Sequence, residues 1–229
     1  MSSINKKHAY IFKMNMVPAN ILSFIILIVA FVFASLLLGE PLLQDYNSFV
    51  LVVCILGYFA LHEFLHGVGY YLGGCKLKNI QFGICLEKGI FYAMAYQELS
   101  KKNILISLQM PFMIIGVITL IISVIFKLPL LALLSVVNFS GASLDLMMFF
   151  YILRLKNVTY SESGEANEFV LITDEDLKKK KSLFFKIKDV KEYKSEDYIF
   201  PKKKKIVISK FSYILIGLLL LFSIFSLFK

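Results

Sequence analysis

The sequence has 229 residues, of which 58% are apolar, and its mean hydropathy is +0.74. A soluble domain of this length would be nearer half apolar, and a helix that spans a bilayer needs about 20 predominantly apolar residues. These values exclude a soluble domain with a single anchor and predict a polytopic membrane protein. The five predicted transmembrane helices cover residues 19–38, 49–72, 103–126, 128–153 and 206–228.

The first apolar run is predicted to be a retained helix and not a signal peptide. The apolar region of a secretory signal is about 7–15 residues long and ends in a small-residue cleavage site. The run at 19–38 is longer, and residues 31–36 (FVFASL) offer no such site.

The net charge of +9 lies almost entirely on one set of connectors. Lysines or arginines occupy the tail 1–18, the connector 73–102 and the insert 154–205, whereas 39–48 has none and the turn before the fourth span has only Lys127. The positive-inside rule therefore predicts a multi-pass plasma-membrane protein with a cytoplasmic N-terminus and an external C-terminus. The basic surface is expected to face anionic lipid, and no nucleic-acid partner is expected because no basic motif with interleaved aromatic residues occurs.

Two soluble pieces are predicted on the cytoplasmic side. In the connector, residues 77–86 and 90–97 are rich in β-branched and aromatic residues and flank a turn at Glu87-Lys88-Gly89, which predicts a β-hairpin. An irregular loop is the alternative. The hairpin is one of two soluble additions to an otherwise all-α membrane protein.

The second piece, residues 154–205, is predicted to be a small α+β insert. Residues 155–205 hold thirteen Lys and ten Asp or Glu. Residues 168–173 read as a strand, and Thr173 followed by three acids resembles the N-cap and first turn of a helix. The lysine run 178–181 reads as the solvated face of that helix.

Ionisable side chains stand inside two of the predicted spans. The second span contains "HEFLH", with His62, Glu63 and His66, and the fourth contains Asp145. A charged side chain near the bilayer centre costs at least about 2.5–3.5 kcal/mol, so this set needs a partner. His62 and His66 are at i and i+4, on one helix face, and can bind one zinc ion with Glu63 as general base. A hydrogen-bonded pair of core histidines would leave Glu63 and Asp145 unexplained.

A third zinc ligand must come from elsewhere in the chain. In the extended HExxH motif a third histidine follows six residues after the second, but Leu72 stands there, although Gly69 fits the motif's glycine. Glu87 and Glu98 in the connector are possible ligands. Asp145 is favoured, because Asp145 and His62 both lie nine or ten residues before the cytoplasmic end of their spans, about 13–15 Å at 1.5 Å per residue.

Asn138 is the second candidate catalytic residue, after Glu63. It precedes Asp145 by seven residues, two helical turns, so both side chains are expected on one face. An amide there could hydrogen-bond a substrate carbonyl or a developing oxyanion. The small residues 140–143 between them are expected to serve close helix packing.

HEFLH on one span and Asp145 two spans later resemble the site-2 protease class of intramembrane metalloproteases. The chain is similar, more closely, to the small bacterial membrane family of zincin peptidases called domain of unknown function 3267, over residues 49–153. This resemblance implies a three-helix core, zinc on His62, His66 and Asp145, and a β-structured segment after the HExxH helix. The sequence departs from site-2 proteases, which carry Asn-Pro before the aspartate and Gly after it, because Phe139 follows Asn138 and Leu146 follows Asp145.

The sequence thus predicts a zinc endopeptidase that cuts membrane-embedded or membrane-associated protein substrates. A non-enzymatic zinc-binding membrane protein, such as a sensor or assembly partner, is the main alternative, and a structural site would have no use for Glu63. A transporter is disfavoured, because no paired broken helices are seen in the sequence.

Overall fold

The computed structural model describes residues 8–85, 90–163, 168–177 and 182–190. Its helices are α1 (Met16–Leu38), α2 (Ser48–Leu72), α3 (Lys101–Pro111), α4 (Thr119–Phe126), α5 (Pro129–Gly141) and α6 (Ser143–Leu153), with a π-helical segment, Phe112–Ile118, between α3 and α4. Its strands are β1 (His8–Met14), β2 (Ile80–Cys85), β3 (Ile90–Ala95), β4 (Leu99–Ser100), β5 (Val158–Glu162), β6 (Glu168–Thr173) and β7 (Phe185–Val190).

Within the described residues, three continuous helical stretches are long and apolar enough to cross a membrane: α1, α2 and Lys101–Phe126. Their outward faces carry large apolar side chains, such as Leu36, which is 75% exposed, and Val17, which is 69% exposed. Such exposure is costly in water and suits a lipid solvent. The fifth predicted span, 206–228, lies outside the described residues.

The fourth predicted span is not one helix. Helices α5 and α6 meet at Ala142 with a bend of 48°, so that the pair forms a broken span or a re-entrant loop. The bend falls in the small-residue stretch 140–143, next to a glycine, where helix propensity is weak and a kink is easily tolerated. The predicted span 128–153 is therefore divided between two helices, with Asn138 on α5 and Asp145 on α6.

The prediction of an all-α class is also incomplete, because the described residues contain seven strands. Five of them form one antiparallel sheet in the order β4-β5-β6-β1-β7. Strand β1 lies between β6 and β7, with Phe12 opposite Phe169 and Ile187. The segment that the sequence placed in an N-terminal tail is thus an interior strand of this sheet.

The sheet packs against the helix ends through aromatic side chains. Phe12 is fully buried and stacks on Phe169 at 5.1 Å between ring centroids, with Tyr151 of α6 against its edge at 5.2 Å. Strand β4 pairs with β5 and runs directly into α3, whose N-cap Ser100 accepts from Asn103 N at 3.3 Å. The sheet and the third span are therefore positioned together.

The segment predicted as a hairpin contains β2 and β3, which pair antiparallel from Ile80–Ala95 to Cys85–Ile90. The predicted turn, residues 87–89, lies outside the described residues. The phenyl ring of Phe82 on β2 covers Gly67 of α2, and a Cβ on that glycine would lie 2.1 Å from the ring. Gly67 thus permits the hairpin to lie against the HExxH helix.

The predicted helix after Thr173 does not begin at its expected place, because residues 174–177 are not helical. The Thr173 hydroxyl accepts from Glu175 N at 3.2 Å, as in a short turn. The acids bind the connection between α6 and β5, since Glu175 accepts from Lys156 N at 2.6 Å and Asp174 accepts from Asn157 Nδ2 at 3.1 Å. The lysine run 178–181 lies outside the described residues.

Candidate metal centre

Three ligand atoms from two separate helical segments converge on one point. His62 and His66 on α2 place their Nε2 atoms 3.1 Å apart. The Oδ2 atom of Asp145, in the first turn of α6, lies 3.1 Å from the Nε2 atom of His62 and 3.4 Å from that of His66. Among the residues that the structure describes, these three form the one group of histidine, cysteine and acidic side chains with the spacing of a metal site.

The hydrogen bonds on the far side of each ring fix the tautomers. The Nδ1 atom of His66 lies 3.0 Å from the Ser107 carbonyl oxygen, and that of His62 lies 2.9 Å from Asn138 Oδ1. A carbonyl oxygen only accepts, so each Nδ1 donates and each neutral ring has an unprotonated Nε2. Two nitrogen lone pairs and a carboxylate oxygen then face one another, an arrangement that a shared cation stabilises.

A proline explains why the Ser107 carbonyl is available. Pro111 has no N–H, so it cannot donate to the carbonyl four residues earlier in the helix, which belongs to Ser107. The widened π-helical segment begins at the next residue, and such segments often mark functional sites. The contact is reciprocal, because the Ser107 hydroxyl donates to the His66 carbonyl at 2.9 Å.

Gly69 allows α2 and α3 to approach closely enough for these bonds. A Cβ at Gly69 would lie 2.4 Å from the Cα of Ser107, a backbone atom that cannot turn aside. We expect Gly69→Ala to separate the helices, weaken zinc binding and destabilise the fold by about 1–3 kcal/mol, as overpacking does. Thermal unfolding in detergent and zinc content measure both effects.

Gly57→Ala is the matched control for that substitution. Gly57 lies on the same helix, and nothing lies within 4 Å of the Cβ position. Alanine there should leave zinc content unchanged and leave the thermal midpoint equal or higher, because alanine favours helix over glycine by up to about 1 kcal/mol. Equal effects of the two substitutions would contradict the close-contact argument.

Asn138 contacts the candidate metal centre through His62, a partner that the sequence did not predict. It is buried at the end of α5, and its Nδ2 donates to the Pro111 carbonyl at 3.1 Å, which turns Oδ1 toward His62. Both polar groups of the amide are thus engaged with the protein. In this arrangement Asn138 orients the ring of His62, and its predicted contact with a substrate carbonyl stays a prediction.

Glu63 stands beside the three ligands without belonging to their group. Its carboxylate interacts electrostatically with His66, His62 and Asp145. Its Oε2 atom accepts from the backbone N–H of Ala93 on β3 at 2.8 Å. The hairpin therefore holds the carboxylate that the sequence assigned as a general base.

The other candidate ligands lie elsewhere. Glu98 is exposed and is not a member of the group, and Glu87 lies outside the described residues. His8 lies on β1, opposite Thr173 of β6, in the five-stranded sheet.

Sequence reasoning missed a third carboxylate near the centre, after Glu63 and Asp145. Glu162, the last residue of β5, is 7% exposed, and its Oε1 accepts from the hydroxyls of Tyr160 at 3.0 Å and Tyr70 at 3.5 Å. Tyr70 follows His66 by four residues on α2, a spacing that could have marked it as facing the site. Nothing in the sequence relates Glu162 to α2.

Burial raises the pKa of Glu162 to about 7, although hydrogen bonds from Tyr160 and Tyr70 and the nearby charge of His66 lower it. Its ordinary value is 4.5. Between these values the folded chain holds a proton that the unfolded chain has lost, so stability falls as pH rises from about 4.5 to about 7. Thermal midpoints of the metal-free protein should show this slope, and Glu162→Gln should remove it. The assignment would be contradicted if the thermal midpoint of the wild-type protein rose relative to that of Glu162→Gln as the pH rises over this range.

The residues fit a zinc ion. Two imidazole nitrogens and one carboxylate oxygen are a ligand set of catalytic zinc sites, in which the fourth position is open. Three corners of a tetrahedron with bonds of about 2.0–2.1 Å lie roughly 3.3–3.4 Å apart. The observed separations of 3.1, 3.1 and 3.4 Å are close to this.

Apolar helices and a His-His-Asp group thus define a membrane protein with a candidate zinc centre on its helices. Residues 55–160 match the family model described as "Putative zincin peptidase", domain of unknown function 3267, which confirms the resemblance expected from the sequence. The match contains all three candidate ligands and Glu63, and the family's description is that of a zinc metallopeptidase. No curated protein and no solved structure matches the chain.

Proposed function

We propose that this protein is an intramembrane zinc metalloendopeptidase that hydrolyses peptide bonds of membrane-embedded or membrane-proximal proteins. The observation that carries the proposal is the convergence of His62, His66 and Asp145, with both histidine tautomers set for metal binding, beside Glu63 on an apolar helix. A zinc ion bound there would supply Lewis acidity, which polarises a peptide carbonyl and makes water nucleophilic at neutral pH.

In the proposed reaction, Glu63 is the general base and then the general acid. Its carboxylate takes a proton from the attacking water and delivers that proton to the departing amine nitrogen. The Ala93 N–H, at 2.8 Å from Oε2, holds the carboxylate in one orientation. Asn138 and Ser107 keep the two imidazole rings in place, at 2.9 and 3.0 Å from their Nδ1 atoms.

The proposed substrate is a protein segment in extended form. A peptide bond inside a transmembrane helix is shielded by its own helix, so the segment must unwind before it is cut. Strand β3 passes beside Glu63, because Ala93 contacts it. An extended substrate segment held beside the hairpin would bring its peptide bonds next to the base.

The proposed location is the plasma membrane of a bacterium, with a cytoplasmic N-terminus and an external C-terminus. The basic connectors support this orientation through the positive-inside rule. The five-stranded sheet and the hairpin would then lie on the cytoplasmic side, near anionic lipid.

The test compares the membrane proteomes of cells that carry the wild-type protein or Glu63→Gln. Substrates should accumulate uncut in the variant, and the corresponding fragments should be missing. The purified wild-type protein should contain one zinc ion. If zinc is bound and the two proteomes are the same, the non-enzymatic zinc-binding function is favoured instead.

A further inference from the structure

Strand β3 has one edge that faces away from its partner β2. The N–H of Tyr96 donates to Asn79 O at 2.7 Å, on the β2 side, so the N–H groups of Ala95 and Ala93 point to the opposite edge, because direction alternates along a strand. The Ala93 N–H donates to Glu63, and the Ala95 N–H donates to Glu162. Two carboxylates from different parts of the chain thus occupy successive donors of one strand edge.

Glu162 also connects to the metal ligands through α2. The Tyr70 hydroxyl donates to Glu162 Oε1 at 3.5 Å, and the Ser107 side chain is a second polar neighbour of that hydroxyl. The Ser107 carbonyl oxygen accepts from the Nδ1 of His66 at 3.0 Å, and the Ser107 hydroxyl donates to the His66 carbonyl at 2.9 Å. Contacts from Glu162 therefore run in two directions. The α2 arm runs through Tyr70 to the helix that carries His66, and the β3 arm runs through strand β3 to the base.

A buried carboxylate is costly unless it is well paired, and replacing it by apolar groups is often neutral for stability. Three donors surround this one: two tyrosine hydroxyls and a backbone N–H. None of them is needed for the pairing of β5, which pairs with β6 along its length and with β4 at two positions. This combination points to a role in holding the two arms.

We propose that Glu162 is a positioning residue that fixes strand β3, and with it Glu63, relative to the helix that carries His66. The effect of Glu162 on turnover rests on the proposed function, whereas its effects on the hairpin and on zinc affinity do not depend on that function. Glu162 is not a member of the His-His-Asp group.

Glu162→Gln tests the β3 arm. Glutamine has one acceptor oxygen in place of two for three donors, so the Ala95 contact weakens while the side chain keeps its size. Amide hydrogen exchange at Ala93 and Ala95 should rise at least about 10-fold in both the metal-free and the zinc-loaded protein. With a substrate from the proteome comparison, kcat should fall about 10-fold and KM should stay within about two-fold, as when the base is displaced.

The matched control is Glu168→Gln, the same substitution on the neighbouring strand. Glu168 pairs with Lys13 at 2.9 Å, away from the hairpin, so exchange at Ala93 and Ala95 should not change. Wild-type exchange and turnover in Glu162→Gln would overturn the proposal, as would equal changes in both variants.

Tyr70→Phe tests the α2 arm and decides the matter if Glu162→Gln does not fold. It removes one hydroxyl and keeps the carboxylate. Zinc affinity in competition with a chelator should fall about 10-fold, within the range for residues that orient a ligand. Unchanged zinc affinity would overturn the proposal. If the wild-type protein cuts no substrate, the proposed function fails, but exchange and zinc competition still decide the role of Glu162.

Discussion

Asp145→Ala is expected to reduce zinc affinity by more than about 100-fold and to abolish hydrolysis. Loss of a residue that merely orients a ligand costs about 10–100-fold in metal affinity, and loss of the ligand itself should cost more. The substitution also leaves the Nε2 atoms of His62 and His66, 3.1 Å apart, without the charge that faces them. Metal analysis of the purified protein and chelator competition measure the change.

Asn138→Ala gives the graded comparison for this experiment. It removes the acceptor of the His62 Nδ1–H at 2.9 Å but no atom of the His-His-Asp group, so we expect a loss of about 10–100-fold. A wild-type zinc content in Asp145→Ala would place the third ligand elsewhere. A larger loss in Asn138→Ala than in Asp145→Ala would also contradict the ligand assignment.

The sequence was informative about the centre because its key spacings are local to helices. His62 and His66 are one turn apart, and that turn alone places both rings on one face. Asp145 required a comparison of depths in two helices, and the structure brings the three side chains together. The roles of these residues stay predictions that the zinc measurements test.

Asn138 illustrates what helical spacing does not convey. Two turns of helix predicted that it faces the centre, and it does contact His62. The helix nevertheless breaks at Ala142, and the partner that fixes the amide, the Pro111 carbonyl, belongs to another span. A face can be predicted from the period of a helix, but a hydrogen-bond partner on a different element cannot.

The pairing of the strands in the five-stranded sheet could not be predicted from the sequence, for a related reason. Strand β1 pairs with β6 and β7, and Phe12 lies opposite Phe169, more than 150 positions away. A run of seven residues before an apolar helix has no local sign of such partners, and its lysine favoured a cytoplasmic tail. Glu162 was missed with the sheet, because its relation to α2 arises only when β5 is placed.

Glu63→Gln should reduce turnover by about 10²–10⁴-fold, the usual contribution of a general base, while zinc content stays at the wild-type level. Glutamine keeps an oxygen that can accept from the Ala93 N–H, so the hairpin should stay in place and the loss should reflect proton transfer alone. Glu98→Gln, at an exposed position in the same connector, is the control and should retain activity. Because Glu63 lies outside the His-His-Asp group, a loss of zinc in Glu63→Gln would make it a ligand and contradict its role as base. Full activity with full zinc would instead place the base on another residue.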